Sequence, residues 1–301
     1  MSMNSTSPVT LTSNALNSSA NNPVYKRRLL MHRIGITLSS LAMALGVFFL
    51  MWILFTLLIK GFSAISLDMF TETTPAPGSD GGGLMNAIVG SFMMVGFATL
   101  ISTPIGILAG IYLAEYGDKS WFGSITRFVT DIMLSAPSIV IGLFVYAIYV
   151  FNVKHFSGWA GSLAISLIAI PVVVRTTDNM LGLVPTSLRE AAFALGAPRW
   201  KVALLIRLRA VKAGVVTGIL LAVARISGET APLLFTALNN QFFNGNMNKP
   251  MANLPVVIYQ FAMSPYDNWR DLAWGGALLI TFSVLGLNIL SRTMFNQKVQ
   301  N

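Results

Sequence analysis

The amino-acid sequence predicts an all-α membrane protein with six transmembrane helices, and three observations support that prediction. Of its 301 residues, 54% are hydrophobic and only 10% are charged, whereas soluble domains contain about 25% charged residues. The mean hydropathy is +0.67, which indicates a bilayer rather than water as the solvent. Six apolar runs are each long enough to cross the hydrocarbon core as a helix.

The six runs define the predicted spans, which lie within one transmembrane domain of residues 26–298. Pro137 interrupts the third span, and neighbouring helices must then satisfy the carbonyl group that it frees. The fourth span contains Pro171. The spans cover about residues 34–59, 84–113, 128–151, 159–181, 213–238 and 272–290.

Basic residues predict that both termini lie in the cytoplasm. The densest basic run falls between the fourth and fifth spans, and inner loops of membrane proteins carry an excess of Lys and Arg. The net charge of +9 is also compatible with nucleic-acid binding. The basic residues stand at the ends of apolar spans, however, so the sequence predicts membrane lipid and no nucleic acid as a partner. A basic cluster before the first span consists of Lys26, Arg27, Arg28 and Arg33.

Three segments outside the spans have distinct compositions. Residues 1–25 are rich in Ser, Asn and Thr without apolar periodicity, which predicts a disordered cytoplasmic tail. Residues 60–83 are rich in Pro and Gly, which indicates an outer loop. Residues 239–271 form a long outer loop whose apolar run is too short to span, so we expect a short interfacial helix there.

The loop of residues 185–209 has the pattern of two short helices. Apolar residues recur at helical spacing in the first helix. Gly196 then suits a left-handed helix C-terminus, and Pro198 opens a second helix. Such a pair on the inner face could insert into a groove of a soluble partner or rest on lipid headgroups. The residues alone leave both interpretations open.

Two arginines and one glutamate lie inside predicted spans. An Arg near the bilayer centre costs about 2.5–3.5 kcal/mol on insertion scales, so it does not face lipid. Arg225 is about 18 Å into the fifth span at 1.5 Å per residue, and Glu229 four residues later falls on the same helix face. Arg175 lies in the fourth span. The three residues form either an ion pair that locks helices together or an anion path lined by guanidinium groups.

Gly228 and Pro232 lie close together on either side of Glu229. This spacing predicts a break or kink in the fifth span, where freed backbone N–H groups could receive an anion. The alternative is a glycine needed only for packing next to a tolerated proline. The remaining acids near span ends are expected to make interfacial or inter-subunit contacts, and they are Glu115, Asp118, Asp131 and Asp178.

The sequence lacks the residues and motifs that several kinds of chemistry require. Cysteine is absent, which excludes disulfides and thiolate metal sites. His32 and His155 fall on opposite sides of the predicted membrane, so no histidine metal site is expected. No phosphate-binding G-x-x-x-x-G-K-[ST] loop occurs. We therefore predict a non-enzymatic subunit without cofactor or metal, whose energy comes from a partner on the inner face.

The loop of residues 185–209 carries a family resemblance. EAAFALG, followed nine residues later by Ile206-Arg207-Leu208, resembles the EAA loop of ABC importer permeases. Arg209 stands where that pattern has proline. The resemblance implies the type I importer permease fold and a cytoplasmic coupling helix that docks into an ATPase subunit. The matching positions are Glu190, Ala191, Ala192 and Gly196.

Further segments, among them TPIGILAGIYLAEYG and ARISGETAPLLFTA, resemble the permeases of phosphate importers. That resemblance implies inorganic phosphate as the solute and places Arg175, Arg225 and Glu229 along its path. It also implies three protein partners: a homologous second permease subunit, an ATP-binding subunit dimer and a periplasmic phosphate-binding protein. The expected location is the bacterial inner membrane. An ion-coupled secondary anion transporter or channel is the alternative, and it would transport without partners.

Overall fold

The computed structural model describes residues 23–79, 81–117 and 120–294. Those residues form helices and loops without a strand, which confirms the all-α class. The predicted tail therefore lies outside the described residues except for its last three positions. The helices are α1 Pro23–Ala64, α2 Asp68–Thr71, α3 Met85–Tyr116, α4 Trp121–Ser135, α5 Ser138–Val145, α6 Phe151–Val153, α7 Gly158–Gly182, α8 Thr186–Ala194, α9 Arg199–Lys201, α10 Leu208–Ala210, α11 Lys212–Ser227, α12 Ala231–Leu234, α13 Leu254–Ala262 and α14 Asp267–Met294.

The chain divides into two compact units, residues 1–56 and 57–301. In the first unit the described residues belong to α1, and the side chains of residues 23–55 are exposed. An 18-residue window of α1 reaches a mean hydropathy of 2.6, so this exposed surface suits lipid. The helix begins before the predicted span because no proline interrupts the basic segment that precedes it.

Four helices are long and apolar enough to cross a membrane alone, namely α1, α3, α7 and α14. They correspond to the first, second, fourth and sixth predicted spans. Two further pairs of helices meet the same criterion only when each bent pair is counted as one span, which raises the count to six. By length and composition, the described residues therefore contain four candidate spans formed by single helices and two formed by bent pairs.

The third predicted span, residues 128–151, is a bent pair of helices rather than one continuous helix. α4 ends at Ser135, and the chain resumes at Ser138 with its direction changed by 106°. Ala136 and Pro137 have extended backbone angles, with ψ of 137° and 131°. Proline disfavours helical geometry in the residue before it and donates no hydrogen bond, so the interruption predicted at Pro137 becomes a sharp corner.

The fifth predicted span, residues 213–238, is likewise not one continuous helix. α11 contains 16 residues, about 24 Å at 1.5 Å per residue, and in the rest of the predicted span only the four-residue α12 is helical. Before α11, the chain bends by 75° from the segment Arg199–Ala210. This segment includes a π-helical turn at Val202–Arg207.

The centre of the second unit is the close contact between α3 and α7. A Cβ atom on Gly106 would lie 2.6 Å from Val173 Cβ, and one on Gly110 would lie 2.5 Å from Thr177 Cβ. Small residues let two membrane helices approach to backbone contact. The buried core around this contact also includes Met94 of α3.

The short helix expected in the outer loop is present as α13, and one side of it is buried within the protein. The Asn253 side chain accepts a hydrogen bond from Val256 N at 3.0 Å and so caps its first turn. Val256, Val257 and Phe261 are buried, and α13 packs against α14 and the start of α3. An apolar run too short to span therefore enters the protein core.

Asn86 joins the start of α3 to two outer segments. It is buried, accepts from Thr74 N at 3.2 Å and donates to Asn240 O at 2.8 Å.

We expect Asn86→Ala to lower the free energy of unfolding by about 1–3 kcal/mol, because it leaves buried partners without a hydrogen bond. Thermal unfolding of the purified protein in detergent measures this. Asn152→Ala is the control, since exposed Asn152 bonds only Ile148 O, and equal melting temperatures of both variants would contradict the prediction.

Candidate anion site at a broken helix

The end of α11 confirms the predicted break. The helix stops at Gly228, where the amides of Gly228 and Glu229 bond three residues back, to Arg225 O and Ile226 O. Continuous α-helical bonding does not resume until after Thr230. Among the described residues, no hydrogen-bond acceptor meets the amides of Thr230 and Ala231. The break therefore leaves backbone donors free of partners within this chain.

Gly228 is not a packing glycine. Its φ of −101° and ψ of 1° are accessible to other residues. A Cβ atom there would meet nothing closer than Arg225 O at 3.9 Å. The packing interpretation of Gly228 is therefore wrong, and the space beside the break is open within the described chain.

Arg225 and Glu229 form the expected ion pair, with 3.9 Å between Nε and Oε1. The pair does not arise from a shared helix face, because Glu229 lies beyond the last helical residue. Arg225 stands in the last turn of α11, where the helix dipole favours a cation. Its side chain is 45% exposed and that of Glu229 is 16% exposed. The guanidinium is thus held loosely and can form further contacts.

Arg175 pairs with Asp131 of α4, at 3.6 Å between Nη1 and Oδ1. It makes no ion pair with Glu229 in the described chain, so the structure forms two separate ion pairs, Arg175–Asp131 and Arg225–Glu229. Both side chains of the Arg175 pair are about half exposed. Arg175 and Arg225 lie on α7 and α11, which pack against each other in one buried core.

The segment after the break rests on α5. A Cβ atom added to Gly142 would lie 2.6 Å from Pro232 Cα, so the two backbones are in direct contact. Pro232 is itself buried. The bent α4–α5 unit thereby supports α12 at the point where α11 has ended.

Two ion pairs correct the interpretation of the acids near span ends. Glu115 pairs with Arg207, and Asp178 pairs with Arg127 at 3.2 Å, both within this chain. Sequence reasoning missed these pairs because the partners are 92 and 51 residues apart. Asp131 is likewise paired within the chain, whereas Asp118 lies outside the described residues.

The predicted coupling loop forms the two expected helices. The amides of Gly196 and Ala197 bond Phe193 O and Ala192 O at 2.9 and 3.2 Å, which is the Schellman pattern of a helix C-terminus. Gly196 has the expected left-handed φ of 77°. Of the motif residues, Glu190, Ala191 and Gly196 are exposed and Ala192 is buried. Leu195 beside them is 89% exposed, so the loop presents an apolar surface.

We expect Gly196→Ala to strain this turn by about 1–2 kcal/mol, because the left-handed conformation is unfavourable for a residue with a Cβ atom. No neighbour lies within 4 Å of the added atom, so the effect is conformational. The resemblance implies that this loop docks an ATPase subunit, and on that expectation less of such a subunit should copurify with the variant chain. Gly182→Ala is the matched control, because it has equal space and no left-handed φ. Equal copurification in both variants would refute the prediction.

An apolar cleft elsewhere in the chain does not suit an anion. It has a volume of about 470 Å³ and lies between α3, α11 and α14, with no charged side chain in its lining. The described residues contain no cluster of three or more His, Asp or Glu side chains that could hold a metal. The charged groups beside the helix break remain the candidate site.

These features define a multi-pass helical membrane protein of the ABC importer permease fold. The alginate ABC transporter, solved with its alginate-bound periplasmic protein, contains a chain that matches with a TM-score of 0.59. This match has 14% identity and covers 92% of this chain and 97% of that chain. A chain of the inward-facing MetNI methionine ABC transporter matches with a TM-score of 0.57 and 17% identity, over 70% of this chain and 92% of that one.

The sequence comparisons then give the family. Residues 106–298 match the model described as "Binding-protein-dependent transport system inner membrane component", and the chain belongs to that family. It is 62% identical over 267 residues to "Phosphate transport system permease protein PstA" of Haemophilus influenzae, covering 89% of this chain and 94% of the relative. The Pasteurella multocida protein of the same name is 62% identical over 90% of this chain and 96% of its own length.

Proposed function

We propose that this chain is a permease subunit of an ATP-driven importer that carries inorganic phosphate into the cytoplasm. The observation that carries the proposal is 62% identity, over nearly the whole chain, to relatives named as phosphate transport permeases. Family membership also argues against the alternative of an ion-coupled secondary anion transporter or channel. The proposed location is the bacterial inner membrane, with both termini in the cytoplasm as the basic residues favour.

Arg175, Arg225 and Glu229 are the proposed contacts along the phosphate path. A guanidinium stays charged and offers planar paired donors to phosphate oxygens. Half-exposed Arg225 has such donors available, and Glu229 orients it while leaving room for a solute. The free amides of Thr230 and Ala231 add neutral donors to the same region. Arg175, on the neighbouring helix α7, supplies positive charge that offsets the anion's loss of hydration.

The proposed partners follow from the parts that this chain lacks. No phosphate-binding loop for ATP occurs in the sequence, so ATP is hydrolysed by an ATP-binding subunit dimer. The exposed residues Glu190, Ala191 and Gly196, with buried Ala192, form the docking surface for that dimer. A homologous second permease completes the path, and a periplasmic phosphate-binding protein delivers the solute.

Cells that lack their own phosphate importer provide a test. Expression of this chain with its cognate partners should restore uptake of labelled phosphate at low external concentration. Omission of this chain, or of the ATP-binding subunit alone, should abolish that uptake. Uptake that persists with the chain alone would refute the importer function and favour a secondary transporter.

A further inference from the structure

Two arginines bind the ends of α3 and α7 in a reciprocal arrangement. Arg207 pairs with the Glu115 carboxylate of α3 and donates to Leu181 O of α7 at 2.7 Å. Arg127 makes the opposite pair of contacts. It donates to Leu113 O of α3 at 3.2 Å and to the Asp178 carboxylate of α7 at 3.2 Å. We name Arg207 and Arg127 together the arginine clamp.

The chemistry of the helix ends explains why arginine occupies both positions. Leu113 and Leu181 lie in the last turns of their helices, where the dipole favours cations, and each carbonyl accepts a guanidinium N–H in addition to a backbone N–H. Each guanidinium donates to a carboxylate on one helix and to a carbonyl on the other. Arg207 uses Nη1 and Nη2 for these two contacts, whereas Arg127 donates Nε and Nη2 to Asp178 and shares Nη2 with Leu113 O. A lysine ammonium lacks that planar fork and does not hold the same two directions.

The Arg207 half of the clamp is enclosed. The side chains of Arg207 and Glu115 are each 7% exposed, and a charge buried to that extent is strongly unfavourable without its partner. Around them, Ile111 and Leu181 pack with Ala203 of the π-helical turn. This turn lies within the C-terminal part of the predicted coupling loop, so the loop is fixed to both helix ends through one buried side chain.

The Arg127 half leads toward the candidate anion site. Arg127 and Asp131 lie four residues apart on α4, and they pair with Asp178 and Arg175 of α7 respectively. The two ion pairs therefore join α4 to α7 along one face. Arg175, a proposed phosphate contact, is held by the same helix that carries the clamp.

We propose that the arginine clamp transmits the movement of the coupling loop to the helices that carry the anion site, with Arg207 and Arg127 as positioning residues. The proposal rests on the function proposed above. When the docked partner moves the loop, Arg207 moves the ends of α3 and α7 together. Arg127 then carries the displacement to α4 and so to the Asp131–Arg175 pair. Neither arginine touches phosphate in this account.

The test measures coupling in the assembled importer, as phosphate taken up per ATP hydrolysed in proteoliposomes. Arg207→Lys keeps a buried charge beside Glu115 but loses the fork. The double variant R207M/E115M removes both charges and leaves none unpaired, so it assembles even where a single truncation does not. Arg127→Lys probes the more exposed half. Arg270→Lys is the control, because Arg270 forms an exposed pair with Asp267.

We expect the clamp variants to assemble and to hydrolyse ATP, while phosphate uptake per ATP falls about tenfold, within the usual range of coupling between sites. The control should keep the parental ratio. A purely structural role would lower the amount of complex without changing that ratio. A parental ratio in assembled Arg207→Lys or R207M/E115M complexes would overturn the proposal. Lack of ATP-dependent uptake by the parental complex would instead refute the proposed function.

Discussion

Arg225→Gln should abolish phosphate uptake while leaving the importer assembled. Glutamine keeps a polar side chain of similar reach but cannot neutralise an anion, so we expect uptake to fall by about 100-fold, as for loss of one partner in a desolvated charge pair. Assembly should survive because Arg225 is 45% exposed and its pair with Glu229 is 3.9 Å long. Loose and exposed ion pairs contribute little to stability.

Labelled phosphate uptake, normalised to the amount of assembled complex, measures this effect. Arg270→Gln is the matched control, because it removes the same group from an exposed ion pair with Asp267 and should leave uptake unchanged. Uptake by the Arg225→Gln complex at the parental rate would show that Arg225 does not contact phosphate. The Arg225–Glu229 pair would then have only a structural role.

Gly142→Ala should damage both stability and transport. The added Cβ atom would lie 2.6 Å from Pro232 Cα, a backbone atom that cannot rotate away. Overpacking of this kind costs about 1–3 kcal/mol. The displacement falls on the segment that follows the helix break, so we expect a lower melting temperature together with reduced uptake per assembled complex.

Gly96→Ala is the control for this variant. Gly96 lies within α3, and a Cβ atom there would meet no neighbour within 4 Å. Alanine also favours the helix over glycine, so the control should be at least as stable as the parental protein. If Gly142→Ala had the same melting temperature and uptake rate as Gly96→Ala, the close contact between α5 and α12 would matter for neither stability nor transport, which would contradict the prediction.

The sequence predicted those elements whose cause is local. The predicted bounds of the spans that correspond to α3, α7 and α14 agree with the helix bounds within a few residues. A long apolar run without a break must form a helix in a bilayer, because only a helix satisfies its backbone hydrogen bonds within the segment. The left-handed turn at Gly196 followed from residue type alone. The break after Ser227 was also foreseen from the proximity of Gly228 and Pro232, although the predicted span continued through it.

The remaining features depend on contacts between distant parts of the chain. A proline such as Pro137 predicts that a helix is interrupted, but it does not predict the angle. The 106° corner depends on how α4 and α5 pack on α7. The partners of Arg207 and Arg127 are separated by 92 and 51 residues, beyond the reach of helical spacing rules. For the same reason the sequence could not show that Arg175 pairs with Asp131 rather than with Glu229.

Uptake of labelled phosphate into proteoliposomes tests the central claim most directly. The vesicles would contain this chain, its second permease and the ATP-binding subunits, with the phosphate-binding protein outside and ATP inside. The account predicts uptake that requires ATP and every partner and that unlabelled phosphate suppresses more strongly than unlabelled sulfate does. Uptake by this chain alone without ATP, or no uptake by the complete complex, would contradict it.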